Sequence, residues 1–346
     1  MIYLDNASTT QPKFFRSNYF RFWLNSNTSY TLDREQKALE ETRNKIKECL
    51  NLKSGYILFF RCATEAIEWL SKKFSRYLVC CSPYEHDSVF NVSNFTLVDN
   101  IKNTNLVQNK HILFCHQLVN PITGDIWNIK NIKEEYIKKS NQFFGVDITA
   151  AIGHIFLPDN LENYCDALWF SGHKFYCEKN IGCMWINDKL FHFLNGKETI
   201  QNQYNLVHGT TDVQGACMLA DGLQFTINSF NGRDDNDLIM LLSQELKQNK
   251  IDAVILRKST KTNSINAIYL KGINADALQS YLAFKDIYIG TAHSACSDND
   301  DYRVLEAMGY SKDVARQTIR ISFGLDNYNK EIVQLVTEIK NFKEMF

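Results

Sequence analysis

Ser171-Gly-His-Lys174 follows the apolar run Ala167–Phe170, so a lysine stands just past the end of a strand that reads as buried on both faces. In open α/β sheets ligands collect at the carboxyl edge of the strands, and a lysine held there can condense with an aldehyde. A solvated turn lysine fits the same residues. A second apolar run, Phe143–Val146, ends in Asp147. An acid and an amine at one sheet edge suit pyridoxal phosphate: the carboxylate keeps the pyridine nitrogen protonated, which makes the ring an electron sink, while the lysine binds the aldehyde. Asp147 could also cap the next helix.

Other positions extend the set. Ile57–Phe60 runs through Arg61 and Cys62 into Ala63-Thr64-Glu65-Ala66-Ile67, a helix start whose free N–H groups and Thr64 hydroxyl suit a phosphate, or simply an N-capped helix. His86 follows Glu85 and the turn at Pro83, which fits a stacking or acid–base role or an exposed loop histidine. Arg320, between Ile319 and Ile321, has the fork geometry for a carboxylate, with a structural ion pair as the competing reading. Cys296 lies in the polar stretch Thr291–Asp301, whereas the other nine cysteines sit in or beside apolar or helical patterns. A nucleophile that must reach a bound substrate needs such a loop, although an exposed loop thiol can also be incidental.

The elements that must position these groups alternate. Runs at Ile57–Phe60, Tyr77–Cys81, Ile112–Cys115, Phe143–Asp147, Ala167–Phe170 and Cys183–Ile186 predict strands of a mostly parallel sheet. Leu32–Leu50 reads as an amphipathic surface helix. The tail predicts strands at Ala253–Leu256, Ile265–Leu270, Asp286–Ile289 and Thr318–Phe323, with helices near Asn274–Phe284 and Asn329–Met345. This is an α/β chain with a large domain over 1–225 and a smaller α+β domain over 226–346, and segment 1–30 is expected to pack on the smaller one. With 45% apolar residues in 346, the chain has ample core. Thirty-eight basic against 39 acidic residues give no reason to expect nucleic acid or an anionic membrane as a partner. No apolar run approaches the roughly 18 residues of a spanning helix. MIYLDNASTT has neither a basic start nor an apolar stretch, so a cytoplasmic location is the expectation. Ten cysteines without a C-x-x-C pair or zinc-finger histidines read as reduced thiols, and no metal is expected.

In order along the chain, YLDNASTT (3–10), ATE (63–65), EH (85–86), Asn120 with Gly124, VDITAAIG (146–153), SGHK (171–174), GT (209–210), SAC (294–296) and IRISFG (319–324) give a pattern that resembles the cysteine desulfurases of the class V aminotransferase family. The resemblance implies fold type I of the pyridoxal-phosphate enzymes, with a seven-stranded-type large sheet. It implies that Lys174 binds the cofactor aldehyde, Asp147 meets the ring nitrogen, His86 stacks on the ring and Asn120 bonds the ring hydroxyl. Ala63, Thr64, Ser171 and His173 would hold the phosphate, Thr210 would reach the phosphate of a neighbouring subunit in a homodimer, and Arg320, with Asn120 beside it, would bind the substrate. Cys296 would take sulfur from L-cysteine as a persulfide, releasing alanine, and pass it to an acceptor protein such as one of iron–sulfur cluster biogenesis. A related lyase or transaminase, acting on selenocysteine for instance, and a non-catalytic homologue that binds a sulfur-transfer partner are the alternatives. Departures from the pattern stand at Arg61, Cys62, Ala150, residues 177–180, Val207 and His293; an amide is expected where Ala150 stands.

Overall fold

Runs of four to six residues that are apolar on both faces can be buried only where a sheet is covered on both sides. The computed structural model describes residues 1–22, 26, 34–93, 95–96, 111–199, 202–230, 235–293 and 302–345. After β1 (Ile2–Tyr3) come β2 (Tyr56–Phe60), β3 (Leu78–Cys81), β4 (Phe95–Thr96), β5 (Ile112–Gln117), β6 (Gln142–Asp147), β7 (Ala167–Ser171) and β8 (Gly182–Ile186). The last seven form one sheet in the order β2-β8-β7-β6-β5-β3-β4. The pairings from β7 to β4 are parallel, and β8 runs antiparallel to both of its neighbours, β2 and β7. Every residue of β5, β6, β7 and β8 is buried.

Alternation along these strands splits the core in two. On one face Ile57, Phe144, Val146, Leu168 and Phe170 meet Leu39 and Ile46 of the helix Glu35–Cys49, and Ala216 and Leu219 of the helix Val213–Phe230. On the other, Leu58, Leu113, Trp169 and Met184 meet Ala66, Ile67 and Leu70 of the helix Ala63–Lys73. Position 225 falls inside the helix Val213–Phe230, so that helix carries the chain past the expected boundary.

Further along are β9 (Ala253–Leu256), β10 (Ile265–Leu270), β11 (Ile287–Tyr288), β12 (Gly290–Thr291) and β13 (Thr318–Ser322). An antiparallel sheet in the order β12-β13-β10-β9 packs against Leu242, Leu278, Leu335 and Ile339 from three helices. The strand expected at 286–289 is shorter and leaves this sheet, pairing in parallel with β1 through Ile2 and Ile287. Ile2 and Leu4 lie in this second core, and Asp5 bridges to Ser322. The start of the chain is thus built into the C-terminal unit. Among the described residues, no helix is long and apolar enough to cross a membrane.

Candidate active site

Because β8 is antiparallel to both β2 and β7, β2 runs the same way as β7, and six strands end at one edge. A cavity opens there. Ala63 and Thr64 reach it after β2, Glu85 and His86 after β3, Gln117 at the end of β5, Asp147 and Ala150 from β6, and Ser171, His173 and Lys174 after β7. Arg303 and Arg320 enter from the C-terminal unit. The groups the sequence scatters over more than 250 positions are therefore gathered by sheet topology.

The helix start beside the cavity is a close-packed cradle. Gly182 lies opposite both Phe60 and Ser171 in the register, and a Cβ there would lie 2.7–2.8 Å from the Cys62 backbone and 3.0 Å from Ala63 N. Only glycine lets β8 pass beneath the helix. Ala63 N–H donates to Ser171 Oγ at 2.7 Å. Cys62, where the resemblance expects glycine, is the N-cap at φ −167°, extended backbone that any residue adopts, and its Sγ accepts from Glu65 N–H at 3.5 Å. Glu65 in turn accepts from Arg61 N–H at 2.6 Å, so both substituted residues serve the helix start.

Asp147 is buried at the end of β6, with Thr149 N–H donating to its Oδ1 at 2.8 Å. Burial pushes this carboxyl above its ordinary range, while the hydrogen bonds of Thr149 and the charge of Lys174 pull it back. A buried carboxylate facing a cavity is stable when a hydrogen-bonded cation pairs with it, and a protonated pyridine nitrogen is such a partner. The acid, the lysine and the helix start thus fit pyridoxal phosphate.

His86 Nδ1 accepts from Ser88 N–H at 3.2 Å, which leaves the ring proton on Nε2. Burial, then the charge of Lys174, lowers the imidazole to about 4; Arg303 and Arg320 push the same way and Asp87 opposes. The ring is neutral at pH 7. His173, in contact with Thr9 Oγ1 at 3.1 Å, is also lowered to about 4, first by burial and then by lysine charges. Glu85 is fully buried, and burial together with the charge of Asp147 raises its carboxyl well above the usual range. Arg320 is anchored by Asp5 Oδ1 at 2.7 Å and donates to Pro121 O at 3.2 Å.

Two assigned residues lie elsewhere. Asn120 is fully buried but does not line the cavity: its Oδ1 accepts from the N–H groups of Ile122 and Thr123, and its Nδ2 donates to Tyr84 O. Pro121 takes the wall position. Thr210 is exposed and away from the cavity. Cys296 lies outside the described residues, although Ala292 before it and Arg303 after it both line the cavity. Sequence reasoning missed Gln117, Asp5 and Arg303 as site groups. Gln117 had a usable signal, since it closes an apolar strand and sits opposite Asp147 in the register; its Nε2 donates to Tyr84 O at 2.5 Å.

Comparisons with known proteins follow the same lines. The family model described as Aminotransferase class-V matches residues 89–335. A cysteine desulfurase IscS from Clostridium botulinum is 25% identical, with 96% of this chain and 91% of the relative covered. A NifS/IcsS protein homolog from Lactobacillus delbrueckii subsp. bulgaricus is 25% identical over 100% of this chain and 98% of its own. Among solved structures, a NifS-like protein superposes with a TM-score of 0.84 at 21% identity, covering 100% of both chains. The apo structure of a cysteine desulfurase from Thermococcus onnurineus NA1 gives 0.76 at 18% identity, covering 100% of this chain and 95% of its own.

Proposed function

The chain belongs to the aminotransferase class-V family, and we propose that within it the protein is a pyridoxal-phosphate-dependent cysteine desulfurase, taking sulfur from L-cysteine and leaving L-alanine. The observation that carries this reading is the meeting of Lys174, Asp147, His86 and Arg320 in one cavity whose rim is formed in part by the two flanks of the Cys296 segment.

Lys174 would hold the cofactor and Asp147 its ring nitrogen, with His86 against the ring and Ala63, Thr64, Ser171 and His173 at the phosphate. When bound, the cofactor supplies an electron sink for the charge that develops at the substrate α-carbon. The protein's residues do the rest. Arg320, held in place by Asp5, binds the substrate carboxylate through a charge-assisted pair. Lys174 moves the α-proton. His86, neutral with its proton on Nε2, serves as a proton donor or acceptor without adding charge to the site. Gln117 takes the place of Asn120 at the ring hydroxyl, because it lines the cavity where Asn120 does not, and its amide keeps one N–H beyond the bond to Tyr84 O.

Sulfur transfer is assigned to Cys296. Ala292 and Arg303, which both line the cavity, flank the segment that carries this cysteine in the sequence. The balance is simple: the Cβ–S bond of cysteine breaks, an S–S bond to Cys296 forms, and Cβ gains a proton, so no outside oxidant or reductant is required. The persulfide then passes to an acceptor protein, iron–sulfur cluster assembly being the use the sequence resemblance suggests. A cytoplasmic homodimer is in keeping with nine described free thiols and with the exposed Thr210, available to a neighbouring copy. Purified protein given L-cysteine, L-selenocysteine and L-cysteine sulfinate in parallel should release alanine fastest from cysteine. No alanine from cysteine overturns the reading.

A further inference from the structure

Arg303 opens the helix Arg303–Ala307 of the C-terminal unit and reaches 220 positions back along the chain to the turn that carries His86. Its Nη1 donates to Pro83 O, and its Nη2 to Glu85 O and Asp87 Oδ1, each at 2.8 Å. The guanidinium lies 3.9 Å from the centre of the Phe90 ring. Side-chain exposure is 17% for Arg303 and 13% for Asp87, so this charge pair is largely removed from water, where lost partners are costly.

We propose that Arg303 is a positioning residue for His86, fixing the turn that carries the imidazole by holding the carbonyl before it, the carbonyl two positions further back and the Asp87 carboxylate after it.

The geometry explains why His86 needs such a clasp. Its own orienting bond is local, from Ser88 N–H to Nδ1, and it survives only if residues 86–88 keep their backbone conformation. The grip on Glu85 O and Asp87 Oδ1 brackets that segment. A planar fork serves three acceptors from two nitrogens; a lysine ammonium is a single point charge at the end of a flexible stem and cannot match that spread. The groups facing His86 are Lys174, Asp87, Arg303 and Arg320. Removing the charge of Arg303 leaves Asp87 uncompensated, and both changes favour a protonated imidazole.

The test uses Arg303→Gln and Arg303→Lys in the full purified chain, with two readouts. One is the His86 imidazole titration by NMR, assigned with His86→Asn; the other is kcat and KM for L-cysteine, which rests on the proposed function. Arg303→Gln should move the His86 midpoint up by roughly one pH unit or more and lower kcat about tenfold or more with KM little changed. Arg303→Lys should keep the midpoint low yet still lose roughly severalfold in kcat, since charge survives and geometry does not. Wild-type midpoint and kcat in a folded Arg303→Gln overturn the proposal. Should Arg303→Gln fail to fold, a folded Arg303→Lys with wild-type kcat overturns it equally. If the wild type releases no alanine, the proposed function fails by itself, and the His86 titration in Arg303→Gln still decides the role of Arg303.

Discussion

At the scale of single residues, the clearest consequence concerns Gln117. Ala150 lines the cavity with a methyl group where an amide was expected, and Asn120 is turned away from it. Gln117 is then the side-chain amide that reaches the cavity wall. A donor to the ring hydroxyl stabilises its deprotonated form, so losing that donor raises the pH at which the bound cofactor's visible absorption titrates. A hydrogen bond to a charged group contributes about 1.5–3 kcal/mol, or roughly one to two pH units. Gln117→Met, close in volume, should shift the absorbance midpoint upward by that amount, whereas Asn120→Ala should mainly lower stability. An unmoved midpoint in Gln117→Met would place the donor elsewhere. The meeting of Lys174, Asp147, His86 and Arg320 was legible because Asp147 and Arg320 end or interrupt apolar runs, and Lys174 and His86 stand in the turns that follow them, where a charged or titratable group is conspicuous. The place of Asn120 was not legible, because sequence order does not reveal that its Oδ1 serves the turn at Pro121 while its Nδ2 reaches Tyr84 O. Arg303 left no local signal, since its partners lie 216–220 positions away.

Among the elements, β8 and the helix Ala63–Lys73 depend on each other through Gly182. A methyl group at that position must displace the Cys62 and Ala63 backbone by several tenths of an ångström, and backbone cannot rotate out of the way as a side chain can. Overpacking of this kind typically costs about 1–3 kcal/mol, and here the displaced atoms form the proposed phosphate cradle. Gly182→Ala should therefore lower Tm and also weaken pyridoxal-phosphate binding at least about tenfold, the second effect being measured by cofactor titration of the refolded apoprotein. A lowered Tm with unchanged cofactor affinity would mean that the cradle lies elsewhere. Most strands could be read from the sequence because they are apolar throughout and at least four residues long. The two-residue strands β1, β4 and β12 are too short to carry a period, and β11 is shorter than the run expected at 286–289. Position 225 looked like a boundary because a polar stretch follows, yet buried Gly222, Leu223, Thr226 and Phe230 keep the helix going.

The whole molecule carries its functional charges into a buried site, and its stability should depend on pH accordingly. His86, His116 and His173 are all lowered to about 4, in each case chiefly by burial. Between about pH 6.5 and 4 the unfolded chain binds protons at these positions and the folded chain does not, so stability is present in full above pH 6.5 and falls on acidification. Glu85 and Asp147, raised by burial, oppose this by holding protons in the folded state. The loss that the three histidines produce on acidification is therefore partly offset. His116 lies outside the cavity, with Nδ1 2.7 Å from Gln117 O. His116→Gln should flatten the fall in urea midpoint from pH 6.5 to 4.5 while leaving cofactor binding intact; an unchanged slope would show that this histidine titrates normally. At the same scale, the order of the motifs pointed to the architecture, whereas the threading of the N-terminal segment into the C-terminal unit rests on pairings such as Ile2 with Ile287 that span nearly the whole chain. The central claim is that L-cysteine gives up its sulfur to Cys296, and it is tested most directly by incubating wild type and Cys296→Ser with L-cysteine and measuring alanine release together with the mass of the peptide that contains residue 296. The account predicts one added sulfur atom on that peptide in the wild type, with alanine formed in step, and neither product in Cys296→Ser despite unchanged cofactor absorbance. Undiminished alanine release by Cys296→Ser would contradict it.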